Sequence, residues 1–462
     1  MSIFNSAFSY GEISSVIDRN GARIHFAGIL GAGTYPLARL LRAHGCHVTG
    51  SDAAAGLIPY TDAYGIVIGR PKDRIDADAV VYSLAIDSRN AEIQYARSHG
   101  IPLISRAQLL GAVMRNFGVR IAVSGSHGKS TTTAIIDHVL SASDILHTTV
   151  SGAGLCHGDA LYDAGGDIFL AEACEYKDSF LCLCPSHLVI TAVELDHTDY
   201  FRDEAMLRAS FLRAADSSDL VLLNLDDPGC EAVYSALKQV TGDKRIYTYG
   251  KRVDVDYRLL PLGRDGELTR FSVASGQGTL DLSTCLMGEF NLYNLTAAVA
   301  MADIIGVDRE VIAAAVGSFA PIDRRMALIS EVGGTPIYYD YAHHPSEIAA
   351  TVTALKERYG EVTVIFRPHT YSRTKSLWNG FIAALSKADF TILLDIYPAR
   401  EEYIEGVDSQ TLAKEIKNCT YSTAHGAVTA ALSRPTGAIV LMGAGEVDWV
   451  RREFIRLGKN TG

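Results

Sequence analysis

At 462 residues the chain is too long for one ordinary core, and at roughly 150 residues per domain it divides into about three. Hydrophobic content of 48%, charged content of 21% and 41 glycines describe a folded, turn-rich protein with no tract that composition would leave disordered. The formal charge of −11 excludes a general nucleic-acid binder, because no basic excess is available to offset a phosphate backbone.

In chain order, Met1 to Asn20 carries Glu12 and Asp18 and lacks the basic start and apolar run of a signal peptide. No long apolar segment follows, so a cytoplasmic protein with no membrane partner is expected. Arg23–Ala27, His47–Gly50 and Val80–Ser83 then read as strands and Tyr35–Ala43 as a helix, an alternation that predicts a parallel sheet wrapped by helices. After the first strand come Gly28, Gly31, Ala32 and Gly33, and after the second Asp52. Glycines at such a turn let a diphosphate approach a helix N-terminus. A dinucleotide dehydrogenase would fit the turn about as well, but Pro36 occupies the third glycine position of its G-x-G-x-x-G fingerprint.

The strand Ile121–Ser124 restarts the pattern, so a new domain is expected from residue 120. It runs into Gly125, Ser126, His127, Gly128, Lys129, Ser130 and Thr131, ahead of a helical stretch from Thr132 to Leu140. Strand, glycine loop and helix are the context of a phosphate loop. Backbone N–H groups would hold a triphosphate, Lys129 would neutralise its terminal phosphates and the Ser130 hydroxyl would ligate magnesium. Val123 stands where the commonest form, G-x-x-x-x-G-K-[ST], has its first glycine.

Further strands are expected at Ile168–Leu170, His187–Ala192 and Leu220–Asn224. Glu172 and Glu175 lie just beyond the first, and Glu194, Asp196, His197 and Asp199 follow the second. Carboxylate and phosphate oxygens suit magnesium, which takes few protein ligands and much water. Cys182 and Cys184 alternate with leucines and predict a buried strand, with a zinc or redox site as the alternative; eight cysteines in so long a chain are not a disulfide scaffold. A third group of strands is expected at Ile337–Tyr341, Val362–Phe366, Phe390–Leu394 and Ala438–Met442, with a helix over Pro345–Tyr359 and the last boundary near 322–325. Tyr341, His343, His344, His369 and Arg373 cluster at strand ends, where they offer donors for carboxylates and phosphates and a candidate proton acceptor.

The shorter loop, G-x-H-G-K-[ST]-T-T, resembles that of the Mur ligase family, which includes folylpolyglutamate synthetases. Similar motifs recur nearly to the C-terminus. Gly288 to Asn294 resembles G-x-H-N-x-x-N, with Phe290 in place of His, and Phe319 to Met326 resembles a hinge motif containing Arg324. Asp340 to Glu347 resembles D-Y-[GA]-H-H-P-T-E, and Phe366 to Thr374 resembles F-Q-P-H-x-Y-[ST]-R-T, with Arg367 in place of Gln. Asp395 to Glu401, including Arg400, and Gly443 to Glu446, including Gly445, extend the likeness.

The resemblance implies an α/β chain of three domains: a Rossmann-like uridine-diphosphate domain (1–119), a central phosphate-loop ATPase domain with a parallel sheet (120–322) and a Rossmann-like amino-acid domain (323–462). It implies ATP and Mg2+ as cofactors, with Ser130, Glu172 and His197 on the metal and Asn291, Asn294 and Arg324 on the nucleotide. Gly31, Ala32, Gly33, Asp52, Tyr341 and His369 would serve the substrates, and Lys129, His197, His343, His344 and Arg373 the catalysis. The reaction implied joins L-alanine to UDP-N-acetylmuramate through an acyl phosphate, with domain closure bringing three sites together. A ligase that adds an intact tripeptide to the same nucleotide sugar, or a non-catalytic nucleotide-binding homologue, are the alternatives, and the choice between monomer and homodimer stays open.

Overall fold

The computed structural model describes residues 9–240, 244–399, 401–444 and 447–459. Arg400, Gly445 and Glu446, which the motif reading included, lie outside the described residues. The chain forms two compact units, one holding the chain up to Val193 with Arg208–Tyr257 and Ala297–Ala315, the other Glu194–Leu207, Arg258–Thr296 and the chain from Val316 on.

The first unit contains a sheet in the order Tyr60–Thr61, Val67–Gly69, His47–Ser51, Arg23–Ala27, Ala79–Tyr82, Leu103–Ser105. All pairings are parallel except that of the edge strand Tyr60–Thr61. Successive strands leave Arg23–Ala27 on opposite sides, so the crevice at its C-terminal end is the topological switch point where open α/β sheets take ligands. The helix Tyr35–Ala43 buries Leu37, Ala38, Leu40 and Leu41, the i, i+3, i+4 spacing of one helix face. Pro36 falls in its first turn, where a missing N–H costs nothing, so the departure from the glycine fingerprint is compatible with the turn.

A second sheet in this unit runs Arg245–Gly250, Leu220–Asn224, His187–Ile190, Val119–Ser124, Ile168–Glu172, His147–Val150, Leu161–Asp163, parallel up to the antiparallel last strand. Val119–Ser124 is thus central, flanked by the strands that carry the acidic loops. Glu172 is the last residue of its strand and not beyond it. Cys182 and Cys184 do not form a strand. A 3-10 helix spans Tyr176–Cys182, and side chains take the carbonyls that a ladder would need: the Tyr10 hydroxyl donates to Cys182 O at 2.5 Å and Arg120 Nε to Cys184 O at 2.7 Å.

The second unit contains an antiparallel ladder of Tyr257–Asp265, Leu268–Ser275 and Gly278–Thr284, the first of which begins in the other unit. Its main sheet has the order Ala327–Val332, Thr335–Asp340, Ala438–Met442, Val362–Phe366, Phe390–Leu393, Cys419–Tyr421, parallel beyond its first strand. Its central strands are buried on both faces, which is why they read as unbroken apolar runs. Ile348, Val352 and Leu355 of the helix Pro345–Tyr359 pack on one face and Val450 and Phe454 of Asp448–Lys459 on the other, each such side chain contributing about 1.5–3 kcal/mol of burial. Among the described residues no helix is long and apolar enough to cross a membrane.

Candidate active site

The phosphate loop of the first unit is fixed by its two glycines. Gly125 has φ +136° and Gly128 φ +82°, both in the region that favours glycine. A Cβ at Gly125 would also overlap the Thr191 hydroxyl, which donates to Ser124 O at 3.1 Å and to His127 O. Gly125→Ala is therefore expected to destabilise the unit by about 3 kcal/mol or more and to abolish nucleotide binding, as read by denaturant unfolding and by ADP titration.

Gly128 caps the helix Lys129–Ala142, so Lys129, Ser130 and Thr131 form its first turn. The Ser130 hydroxyl donates to Glu172 at 3.0 Å, and the same carboxylate accepts from Gly152 N at 3.0 Å and Ser151 Oγ at 3.3 Å. Lys129 Nζ reaches Glu175 at 2.9 and 3.2 Å and the carbonyls of Gly125 and Ser126. Burial opposes its charge, but Glu175, Cys174 and Glu172 hold the ammonium well above its ordinary range. Burial pushes the Cys174 thiol up to about 11, so it is protonated at neutral pH. Among the described residues this sets a fixed cation, Lys129, and a pair of oxygen donors, Ser130 and Glu172, at the mouth of a phosphate cradle.

At the glycine turn of the first sheet, Gly28 has φ +76°, and the N–H groups of Gly28 and Ile29 donate to Ser51 O at 2.8 and 3.0 Å. Asp52 accepts from Leu30 N at 3.2 Å and Ala54 N at 3.0 Å, so its carboxylate braces the turn. Residue reading missed the group beneath it. Glu92 is fully buried and accepts from the Ser51 hydroxyl, from Lys72 N at 3.0 Å and from His25 at 3.2 Å. Burial opposes its charge, yet these donors hold the carboxyl below its ordinary range. A glutamate one position into a short helix carries no sequence signal for this role.

In the second unit, Arg373 donates to Asp196 at 3.0 and 3.3 Å and to His369 Nδ1 at 3.3 Å. Burial works against ionising Asp196, but Arg373, then His197 and His343, hold its carboxyl well below the usual carboxylate range. His197 has φ +52° and donates its own N–H to Asp196 at 2.7 Å. Thr370, a β-branched residue at φ +65°, opens the short helix Tyr371–Ser376 that carries Arg373, and such strain persists only where surroundings over-determine it.

His343 Nδ1 lies 3.0 Å from Tyr341 O, which makes Nδ1 the donor and leaves Nε2 as an acceptor. At His369 the order is reversed: Nδ1 accepts from Arg373, so Nε2 carries the proton, and the ring stacks on Tyr397 with centroids 5.6 Å apart. Burial, with a contribution from Arg373, pushes both imidazoles down to about 4, so both are neutral near pH 7. Their folded values lie below the unfolded 6.5, so unfolded chains bind more protons between pH 4 and 6.5. Stability is expected to fall as pH drops from about 6.5 to 4, and the slope of melting temperature against pH to be shallower in His369→Gln.

His344 is placed differently from its neighbours. It is buried, its Nδ1 caps the helix Pro345–Tyr359, and Glu347 closes the capping box by accepting from the N–H of His343 at 3.0 Å and of His344 at 3.2 Å. Tyr341 donates its N–H to Arg324 O at 2.7 Å, with Arg325 over its ring at 5.3 Å. Arg324 has φ +63° and stands 3.7 Å from Asp323 and 3.9 Å from Asp448. Asn291 donates to Met287 O at 2.8 Å and accepts from Asn294 at 3.2 Å. Phe290 packs against the core under the main sheet of its unit, which accounts for the side chain without a nucleotide base.

Three family models match the chain: Mur ligase family catalytic domain over residues 23–118, Mur ligase middle domain over 123–302 and Mur ligase glutamate ligase domain over 324–445. The UDP-N-acetylmuramate–L-alanine ligase of Thermobifida fusca is 35% identical over 453 residues, 93% of this chain and 95% of that one. The chain belongs to the Mur ligase family. The corresponding ligase of Agathobacter rectalis is 36% identical over 403 residues, 84% of this chain and 86% of that one. Among solved structures, the UDP-N-acetylmuramate-alanine ligase of Thermotoga maritima shares the fold at TM-score 0.77 and 23% identity, covering 96% of this chain and 100% of that one. A murein peptide ligase from Psychrobacter arcticus shares it at TM-score 0.69 and 21% identity, covering 95% and 99%. The α/β fold expected from the motifs is thus that of the Mur ligases.

Of the residues assigned from motifs, this Mur ligase brings together Lys129, Ser130 and Glu172 in the first unit and His197, His343, His369 and Arg373, around Asp196, in the second. Glu175 and Asp196 read from the sequence only as acidic-loop oxygens suited to magnesium, and Glu347 stood inside a quoted motif with no role; here Glu175 meets Lys129 and Asp196 meets Arg373. Their signal was a carboxylate beside a basic or histidine-rich run, which does not say which cation each carboxylate meets.

Proposed function

We propose that the protein joins L-alanine to the carboxylate of UDP-N-acetylmuramate using ATP, in the synthesis of peptidoglycan precursors in the cytoplasm. The observation that carries the reading is the phosphate loop with Lys129 held over Glu175 and Ser130 on Glu172, in a chain whose relatives over nearly its whole length are alanine ligases. We assign residues 1–119 to the nucleotide sugar, 120–322 to ATP and 323–462 to the amino acid.

A carboxylate oxygen of the sugar attacks the γ-phosphorus of ATP, and ADP leaves. The amine nitrogen then attacks the acyl carbon, loses its proton to a base, and inorganic phosphate leaves. Lys129 and the amides of the helix start hold the phosphates and stabilise charge as it moves between oxygens. Hard oxygen donors paired at Ser130 and Glu172 fit magnesium, which supplies further shielding of the phosphate charge when bound. His343, neutral and with Nε2 as acceptor, is the base we assign to the amine proton. Arg373, fixed on Asp196, and His369, presenting Nε2–H, are donors for the carboxylate of the amino acid or the oxygens of the acyl phosphate.

Carboxyl-labelled substrate tests the acyl phosphate directly. With 18O in the sugar carboxylate, one label per turnover is expected in the released phosphate. Unlabelled phosphate with product formation would contradict this route.

A further inference from the structure

Glu172, the glutamate proposed for magnesium, is held through one of its two oxygens. Ser130 Oγ at 3.0 Å, Gly152 N at 3.0 Å and Ser151 Oγ at 3.3 Å all donate to Oε2, and among the described residues Oε1 accepts no hydrogen bond. Donors gathered on one oxygen fix the carboxylate and leave the other to a ligand, which is how outer contacts orient a metal-binding side chain. Two of the three donors come from a single loop, and the approach is close: a Cβ at Gly152 would stand 3.2 Å from Oε2.

That loop joins the antiparallel strands His147–Val150 and Leu161–Asp163, and Ser151 N closes its base on Ala160 O at 2.9 Å. Asp159 holds its far side. The carboxylate accepts from Ala160 N at 2.7 Å and Leu161 N at 3.3 Å, and the main-chain carbonyl accepts from Leu155 N at 2.6 Å. Arg39 Nη1 donates to both oxygens of the same carboxylate, at 2.6 and 2.7 Å. Arg39 stands in the helix Tyr35–Ala43 of the first sheet, its guanidinium carbon 3.8 Å from the centre of the Tyr64 ring and its side chain 12% exposed. A charge so far out of water needs a partner, and among the described residues Asp159 is the one hydrogen-bond acceptor it has. A second contact, His44 Nε2 at 3.1 Å from Asp163 Oδ2, ties the end of the same helix to the end of the hairpin.

We propose that Arg39 and Asp159 are positioning residues for the metal: the pair anchors the hairpin loop, whose Ser151 and Gly152 hold Glu172 with Oε1 left for the cation. The inference rests on the proposed function, in which Glu172 serves magnesium, and it extends the metal site to a contact between the two sheets of the first unit.

The test is manganese binding to the full chain holding ADP, followed by the electron paramagnetic resonance of the free ion; manganese suits the same oxygen donors as magnesium. Arg39→Ala and Asp159→Ala are each expected to raise the manganese concentration at half-occupancy about tenfold, and the double variant no further, because both break one contact. ADP affinity in a chelator is expected to stay unchanged, which a general loosening of the unit would not allow. Should the alanine variants not fold, Arg39→Lys, which keeps the charge, and Asp159→Asn, which keeps an acceptor for the two amides, are expected to shift manganese binding in the same direction by a smaller factor of about threefold. Manganese binding unchanged within about 1.5-fold in the folded variants, or a loss of ADP affinity in chelator that equals the loss of manganese affinity, overturns the role of the pair alone. An unmodified protein that binds no ADP, or binds ADP and no manganese, overturns the proposed function with it.

Discussion

Lys129→Ala is expected to reduce turnover by about a thousandfold or more, since it removes a fixed cation at the phosphate loop. It should also cost stability. The side chains of Lys129 and Glu175 are 14% and 1% exposed, so the substitution leaves a buried carboxylate without its partner, a loss of about 3–5 kcal/mol. The double variant Lys129→Ala with Glu175→Ala removes the stranded charge and should recover much of the stability while staying inactive. Denaturant unfolding beside steady-state turnover separates the two effects. A single variant that is unstable but fully active would place the transfer chemistry elsewhere.

Arg373→Ala is the second large effect. Asp196 and Arg373 are 8% and 13% exposed, and the pair joins a carboxylate just beyond one strand to a guanidinium 177 residues later. Removing Arg373 is expected to cost about 3–5 kcal/mol at neutral pH and to reduce turnover at saturating substrates. The folded pKa of Asp196 is depressed, so in the unmodified protein its contribution is complete above the unfolded value near 4 and is lost as pH falls through the lower folded value. In the variant, burial without Arg373 favours the protonated acid. The stability gap between the two proteins should therefore narrow from pH 7 towards pH 4, which melting curves across that range would check; a constant gap would mean that Arg373 acts through packing alone.

The phosphate loop was legible because its chemistry is local. Two glycines, a lysine and a serine in one turn between an apolar strand and a helix leave few other conformations, and the observed left-handed φ at Gly125 and Gly128 is the reason for those glycines. The main sheet of the second unit was legible for a different reason: Val362–Phe366 and Ala438–Met442 are buried on both faces and admit only apolar residues. Cys182 and Cys184 misled because alternation with leucine describes a strand only where the backbone is free to pair, and here Tyr10 and Arg120 take its carbonyls. Long-range partners were not legible at all. Which carboxylate meets Arg373, that Glu92 lies beneath Ser51, and that Arg39 meets Asp159 depend on segments brought together only by the fold. His344 shows the converse: a motif histidine whose Nδ1 serves as a helix cap and lies 3.8 Å from Glu194.

Phosphate release from ATP with magnesium and UDP-N-acetylmuramate, measured with L-alanine, with a diaminopimelate-containing tripeptide and with no amine, tests the central claim most directly. The account predicts release that requires both the nucleotide sugar and L-alanine and is lost in Lys129→Ala. Release with the tripeptide alone would make the protein a peptide ligase, and no release with any amine would contradict ligation altogether.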